Sequence, residues 1–416
     1  MKVLVISHNC FSTTQNMGKT LLSLFSEFCK DELMQLYFHP ATPNLDVCDS
    51  YYRITDKEAL RSVIKRKSCG GTVKLNTDNV MRKDTATSGA RKVQNKSFFA
   101  RRVRDAVWSL SAWKNGKLKR WLIDGRPDAV FLASGDATFS QDIAIWAARF
   151  LDIPLITYFC DEYYFYHKGF FGRALTSNIK KTIKASEKMV TICEDLGKVY
   201  EKKFGTPYTS VMTGSSFVAG SLEKKENVSK QVSYIGNLAL NRWKSLLDVA
   251  EVINALNEEN SEKYKLVYYG SEKEELKDKV AYGGRLDAEG VKKAMAESFM
   301  LVHVETFDEE YRARLMYSVS TKIADSLASG KCMLAYGPKD FASMQHLINN
   351  NCCVFAENKK DLKENLKTFL LDVTARQKIE KNAIEAATAF HNSKENSKKL
   401  YSEIKTVVAS YEKNKF

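Results

Sequence analysis

Short apolar runs alternate with helix-length amphipathic stretches along this chain, in two successive sets, and few folds accept that alternation. Lys2–Ser7 (KVLVIS) predicts a strand, and the polar loop HNCFSTTQNMGKT follows it. A helix is expected over about Thr20–Lys30 on Leu21, Leu22, Leu24, Phe25 and Phe28, then a strand over Leu33–Phe38. Strand, loop, helix, strand at this spacing is a βαβ unit, which requires a parallel sheet. DAVFLAS, IPLITYFC and KMVTIC continue as strands, with helices over Thr138–Phe150, over Arg173–Ser186 and along EDLGKVYEKKFG to Gly205. A polar break at 218–230 (VAGSLEKKENVSK) reads as a hinge. Beyond it QVSYIGN, KLVYYG, VAYGG, FMLVHVE, CMLAY and CCVFAE alternate with helical segments. An amphipathic helix at 359–371 and a long polar helix from about 374 to the end complete the chain.

The expected class is therefore α/β, with two Rossmann-like parallel-sheet domains facing across a cleft. Residues 1–215 form the first and 216–390 the second, and 391–416 are a C-terminal helix packing back on the first. The length of 416 residues suits two cores of ordinary size. MKVLVISHNC reads as a strand rather than a secretory leader, and no apolar run is long enough to span a membrane. Nine Cys at unrelated spacings, with no CxxC pair, predict reduced thiols and no zinc site, hence a cytoplasmic protein.

Charge is uneven. Residues 57–120 carry a net +14, equal to that of the whole chain, so the remainder is neutral. Within that segment 67–95 is polar and unpatterned, read as a loop. Residues 96–122 interleave Arg and Lys with Phe98, Phe99, Val103, Trp108, Leu110, Trp113 and Trp121. This composition suits an interfacial helix on an anionic membrane surface, which would make the protein peripheral on the inner face of the cell membrane. It also suits a nucleic-acid backbone, or a core-facing aromatic stripe with a solvated basic back.

Chemistry concentrates in Tyr317–Pro338 (YSVSTKIADSLASGKCMLAYGP). Ile323, Leu327 and Ala328 share one helix face, Gly330 ends the helix, and CMLAY fits a buried strand. Ser318, Ser320 and Thr321 can cap the start, and Lys322 lies in the first turn, where a cation opposes the helix dipole. A lysine there points to an anion at the free amides. Asp325, one turn on, can accept hydroxyl bonds. Phosphate beside a diol describes a nucleotide sugar. YIGNLALNRWK supplies a second cationic corner, with Gly236-Asn237 at a strand end and Arg242 and Lys244 at a helix start.

Over roughly residues 231–340 the order of these motifs resembles the donor domain of GT-B retaining glycosyltransferases, the family 4 group. There a glycine-ended strand leads to a Lys/Arg helix start, and an E-x7-E segment runs into EAMASG-P. Asp325–Gly330 (DSLASG) is similar to the last part, while Tyr317 stands where the first Glu is expected. The resemblance implies that Arg242, Lys244 and Lys322 hold the diphosphate with the Ser320 and Thr321 amides, and that Asp325 binds ribose. It implies that Gly236 and Asn237 line the donor site and that Glu305, ending LVHVE, touches the sugar. It also implies retention at the anomeric carbon.

The catalytic candidates are Glu305, Lys322 and Arg242; stabilisation of the departing diphosphate by the Lys and Arg groups and the helix amides would need no metal, and the only cofactor is the UDP- or GDP-linked co-substrate. On the acceptor side the candidates are His8, Asn16, Gly18, Lys19 and Asp161, with a lipid-linked or oligosaccharide acceptor and no nucleic acid. A rival reading takes Gly18-Lys19-Thr20 as a P-loop-like NTPase motif, although Thr13 stands where its leading glycine should be.

Overall fold

The computed structural model describes residues 1–13, 16–73, 98–165, 169–223, 230–259 and 261–415. The chain divides into two compact units, one of Met1–Val211 with Ser397–Phe416 and one of Met212–Asn396. The segment 74–95 of the expected loop and residues 224–229 of the expected hinge lie outside the described residues.

The first unit holds an eight-stranded sheet. Its strands are β1 (Val3–Ser7), β2 (Leu33–Tyr37), β3 (Ser50–Arg53), β4 (Gly71–Thr72), β5 (Ala129–Ala133), β6 (Leu155–Phe159), β7 (Lys188–Thr191) and β8 (Tyr208–Ser210). They run in the order β4-β3-β2-β1-β5-β6-β7-β8, parallel throughout except for the antiparallel β3–β4 pair. Every residue of β1, β2, β5 and β6 is buried, as expected for strands covered on both faces. The helix Ser393–Lys413 adds Leu400 and Ile404 to the core that Phe25 and Phe131 share.

The second unit holds six parallel strands: β9 (Gln231–Ile235), β10 (Lys265–Tyr269), β11 (Ala281–Tyr282), β12 (Met300–Val304), β13 (Cys332–Tyr336) and β14 (Val354–Ala356). Their order, β11-β10-β9-β12-β13-β14, reverses direction between β9 and β12. That reversal opens a crevice at the carboxyl ends of these two strands, where open α/β sheets bind ligands.

Three expectations change. The first helix is Asn16–Leu24, starting four residues before Thr20, so Gly18 and Lys19 lie inside it. The long C-terminal helix is two, Val373–Phe390 and Ser393–Lys413. It breaks because His391 leaves helical geometry and its Nδ1 donates to the Thr213 carbonyl at 2.8 Å, while Asn392 Oδ1 accepts from the Lys394 and Glu395 amides.

The third change concerns the basic, aromatic segment, which forms helices Phe98–Leu110 and Gly116–Gly125. Among its described residues Trp108, Trp113, Leu118 and Leu122 are core. Trp108 stacks on Phe139 at 3.9 Å and donates Nε1–H to Asp56 Oδ1 at 2.8 Å. The Arg104 guanidinium lies 4.7 Å over the same Phe139 ring. Tryptophans spent on the core are not free to enter a lipid interface, so the aromatic stripe is a packing device. The side chains of Phe98 and Phe99 lie outside the described residues. Among the described residues no helix is long and apolar enough to cross a membrane.

Candidate active site

β9 brings Gly236 to the crevice, and the turn after it sets the next helix. Asn237, exposed, accepts the Ala239 amide on its Oδ1 at 2.8 Å. Leu240 and Asn241 then take left-handed φ values of 57° and 58°. Two consecutive non-glycine residues in that region store strain. The result places Arg242 at the first position of the helix Arg242–Glu259. The Gly236 amide still donates to Tyr269 O at 2.9 Å, so the glycine lies against the sheet edge.

β12 delivers Glu305. Its side chain is buried, and Arg242 grips it from two atoms, Nε to Oε2 at 2.7 Å and Nη2 to Oε1 at 3.2 Å. Ser245 Oγ donates to the Glu305 carbonyl at 2.7 Å, tying the strand end to the Arg242 helix. Burial pushes the Glu305 carboxyl above its usual range, while Arg242 and Lys322 pull it back.

The helix Thr321–Ala328 brings Lys322 into the same cavity, whose walls include Arg242, His303, Glu305 and Ser320. Ser320 is the N-cap but makes no side-chain cap bond, and Thr321 is exposed. The Lys322 side chain is partly buried and, among the described residues, makes no hydrogen bond or ion pair. Desolvation, then the neighbouring Arg242, lowers its pKa from 10.5 to about 8, with Glu305 acting the other way. Two cations and one already engaged carboxylate leave a positive excess in a site partly withdrawn from water. An anion would relieve it.

Lys244 and Asp325 are engaged elsewhere. Lys244 Nζ pairs with Asp308 at 2.8 Å, and Asn241 Nδ2 donates to the same carboxylate at 2.6 Å, so Lys244 pins the loop after β12. Asp325 Oδ1 accepts from Ser215 Oγ at 3.0 Å, Ser216 N at 2.7 Å and Ser216 Oγ at 3.0 Å. Gly330, at φ 65°, ends the Lys322 helix as expected.

In the first unit, Gly18 packs closely: a Cβ there would lie 2.7 Å from Ser12 Cβ and 2.8 Å from Cys10 O. It is a helix glycine packed against the preceding loop, and Lys19 beside it is exposed. Asn16 opens the helix, and its side chain is outside the described residues. His8 follows β1; burial, then Arg104, lowers its pKa from 6.5 to about 4. Asp161 follows β6 and accepts from Tyr163 Oη at 3.5 Å, a long contact.

One site residue escaped the sequence reading. His303 lies two positions before Glu305 on β12, and the buried Nε2 of its ring stands 3.6 Å from Glu305 Oε1. Strand alternation alone puts both side chains on one face, and that was the available signal. Desolvation, then Arg242 and Lys322, lowers the imidazole pKa to about 3, so it is neutral.

Comparison with known proteins agrees with this architecture. Residues 248–402 match the family model described as glycosyl transferase-like. In structure the chain is similar to HepE from Anabaena, solved with UDP, at 10% identity and a TM-score of 0.65, covering 98% of this chain and 100% of that one. It is also similar to a glycosyltransferase from Rickettsia africae at 12% identity and TM-score 0.60, with 98% and 99% covered. Trehalose 6-phosphate synthase from Burkholderia multivorans gives 9% identity and TM-score 0.62, with 100% and 98% covered. No curated protein matches the chain by sequence. Two parallel-sheet units of this kind define the GT-B fold. The protein is thus a glycosyltransferase with the GT-B fold, similar over residues 248–402 to the glycosyl transferase-like family.

Proposed function

We propose that this glycosyltransferase moves a sugar from a nucleoside-diphosphate donor to a lipid-linked or oligosaccharide acceptor, on the cytoplasmic side of the cell. The observation that carries the donor assignment is Lys322: a partly buried ammonium beside Arg242, at a helix start whose cap side chain makes no cap bond. HepE is described in complexes with UDP and with UDP-glucose, which favours a uridine donor here.

In the proposed chemistry, negative charge grows on the diphosphate as the glycosidic bond breaks. Lys322 Nζ, the Arg242 guanidinium and the amides at Ser320–Lys322 are already oriented, and fixed positive groups stabilise that charge without a metal. Glu305 stands beside them to meet the sugar. Asp325 keeps Oδ2 for the ribose, and Gly236 and Asn237 line the donor site, with Gly236 against Lys322. Retention at the anomeric carbon belongs to the same proposal.

The test is a panel of UDP- and GDP-sugars assayed for release of nucleoside diphosphate, with EDTA present and absent. One donor should turn over, unaffected by EDTA, with turnover lost in Lys322→Ala. Turnover that persists in Lys322→Ala would remove the assignment.

A further inference from the structure

His303 has no task in the chemistry so far, yet its geometry is specific. Glu305 Oε1 sits between two nitrogen groups and takes the longer arm of the Arg242 fork. Arg242 Nη2 reaches it at 3.2 Å, against 2.7 Å from Nε to the other oxygen, and His303 Nε2 stands off at 3.6 Å, beyond hydrogen-bond distance. The Nε2 atom is buried and, among the described residues, has no hydrogen-bond partner. A buried polar nitrogen of this kind normally finds a partner in one working state of a protein.

An arriving diphosphate competes for the guanidinium that Glu305 occupies. A carboxylate abandoned in a buried position would be left unpaired, which proteins avoid. Lys322 acts on Glu305 only from outside ion-pair distance among the described residues, so the nearest group able to receive Oε1 is the imidazole.

We propose that donor binding exchanges Glu305 from Arg242 to His303. The diphosphate takes the Arg242 fork, Glu305 Oε1 moves by roughly 0.7 Å to accept the Nε2–H of His303, and the carboxylate is held there facing the transferred sugar. No bond to carbon forms and no proton changes owner; one hydrogen-bond donor replaces another. His303 is a positioning residue, acting through Glu305. This rests on the proposed seat of the diphosphate at Arg242 and Lys322.

The test is a double-mutant cycle on the full chain, titrated with UDP and, in parallel, GDP. The proteins are wild type, His303→Leu, Glu305→Gln, their double, and His303→Asn, which retains an N–H donor. His303→Leu should weaken binding about tenfold when Glu305 is present and less than about twofold when Gln replaces it. His303→Asn should restore most of the loss. A purely structural role for His303 would weaken both backgrounds equally, and such additivity would overturn the exchange while leaving the diphosphate site in place. Binding by wild type that survives Lys322→Ala undiminished, or no binding of either nucleotide, would overturn the diphosphate site and the exchange with it.

Discussion

Lys322 Nζ occupies the space that a side chain on Gly236 would need: a Cβ built on Gly236 lies 2.5 Å from Nζ and 2.6 Å from Cε. The glycine at the end of β9 is thus the floor on which the lysine reaches the crevice. Gly236→Ala would push the flexible end of Lys322 aside and leave the sheet intact. Calorimetry should show nucleoside-diphosphate affinity about tenfold weaker, the loss of one charge-assisted bond, with urea unfolding nearly unchanged. Equal affinity in the two proteins would separate Lys322 from the phosphates.

Affinity should also depend on pH through the same lysine. Its folded pKa is lowered to about 8, so the free site is charged below that value and neutral above it. A diphosphate prefers the charged form, so binding above pH 8 must draw a proton from solution. Affinity should fall about tenfold between pH 7 and pH 9. Lys322→Arg, whose guanidinium stays charged, should flatten the profile; a wild-type profile that is already flat would refute the coupling.

Removing that charge should stabilise the free protein. Below pH 8 the folded state holds an ammonium partly out of water, while in the unfolded chain it is fully hydrated. Lys322→Met should therefore raise unfolding free energy by about 1–3 kcal/mol at pH 7. The sign follows from the depressed pKa: the unfolded state binds the proton more tightly, so wild-type stability rises as pH climbs from about 8 to 10.5, and the gap to the variant should close over that window. Chemical denaturation at pH 7 and pH 10 measures it.

The aromatic segment yields a prediction about folding. With Trp108 stacked on Phe139 and bonded to Asp56, Trp108→Ala should cost about 3–5 kcal/mol, measured by urea unfolding. A loss below 1 kcal/mol, with blue-shifted wild-type fluorescence on anionic vesicles, would restore the interfacial reading.

What the sequence disclosed follows the range of the forces involved. The strand CMLAY, the stop at Gly330 and the cation at the start of the Lys322 helix are set by neighbours a few residues away, and all three were legible. The short β3 and β8 were not, because their residues become strands only through pairing with β2 and β7. The orientation of the Trp108 helix was equally hidden: an amphipathic pattern has two faces, and only Phe139 and Asp56, each far along the chain, decide which one is inside. Lys244 and Asp325 were singled out by position, but their partners, Asp308 and Ser215–Ser216, come from distant segments. His303 was readable by strand alternation once Glu305 was chosen.

The most direct measurement is titration of UDP and GDP into wild-type protein and Lys322→Ala by calorimetry at pH 7. One nucleotide should bind the wild type at a single site, and the lysine-free protein should bind it at least about tenfold more weakly while unfolding cooperatively like the parent. Identical affinity in both proteins would contradict the claim that Lys322 receives the donor's phosphates.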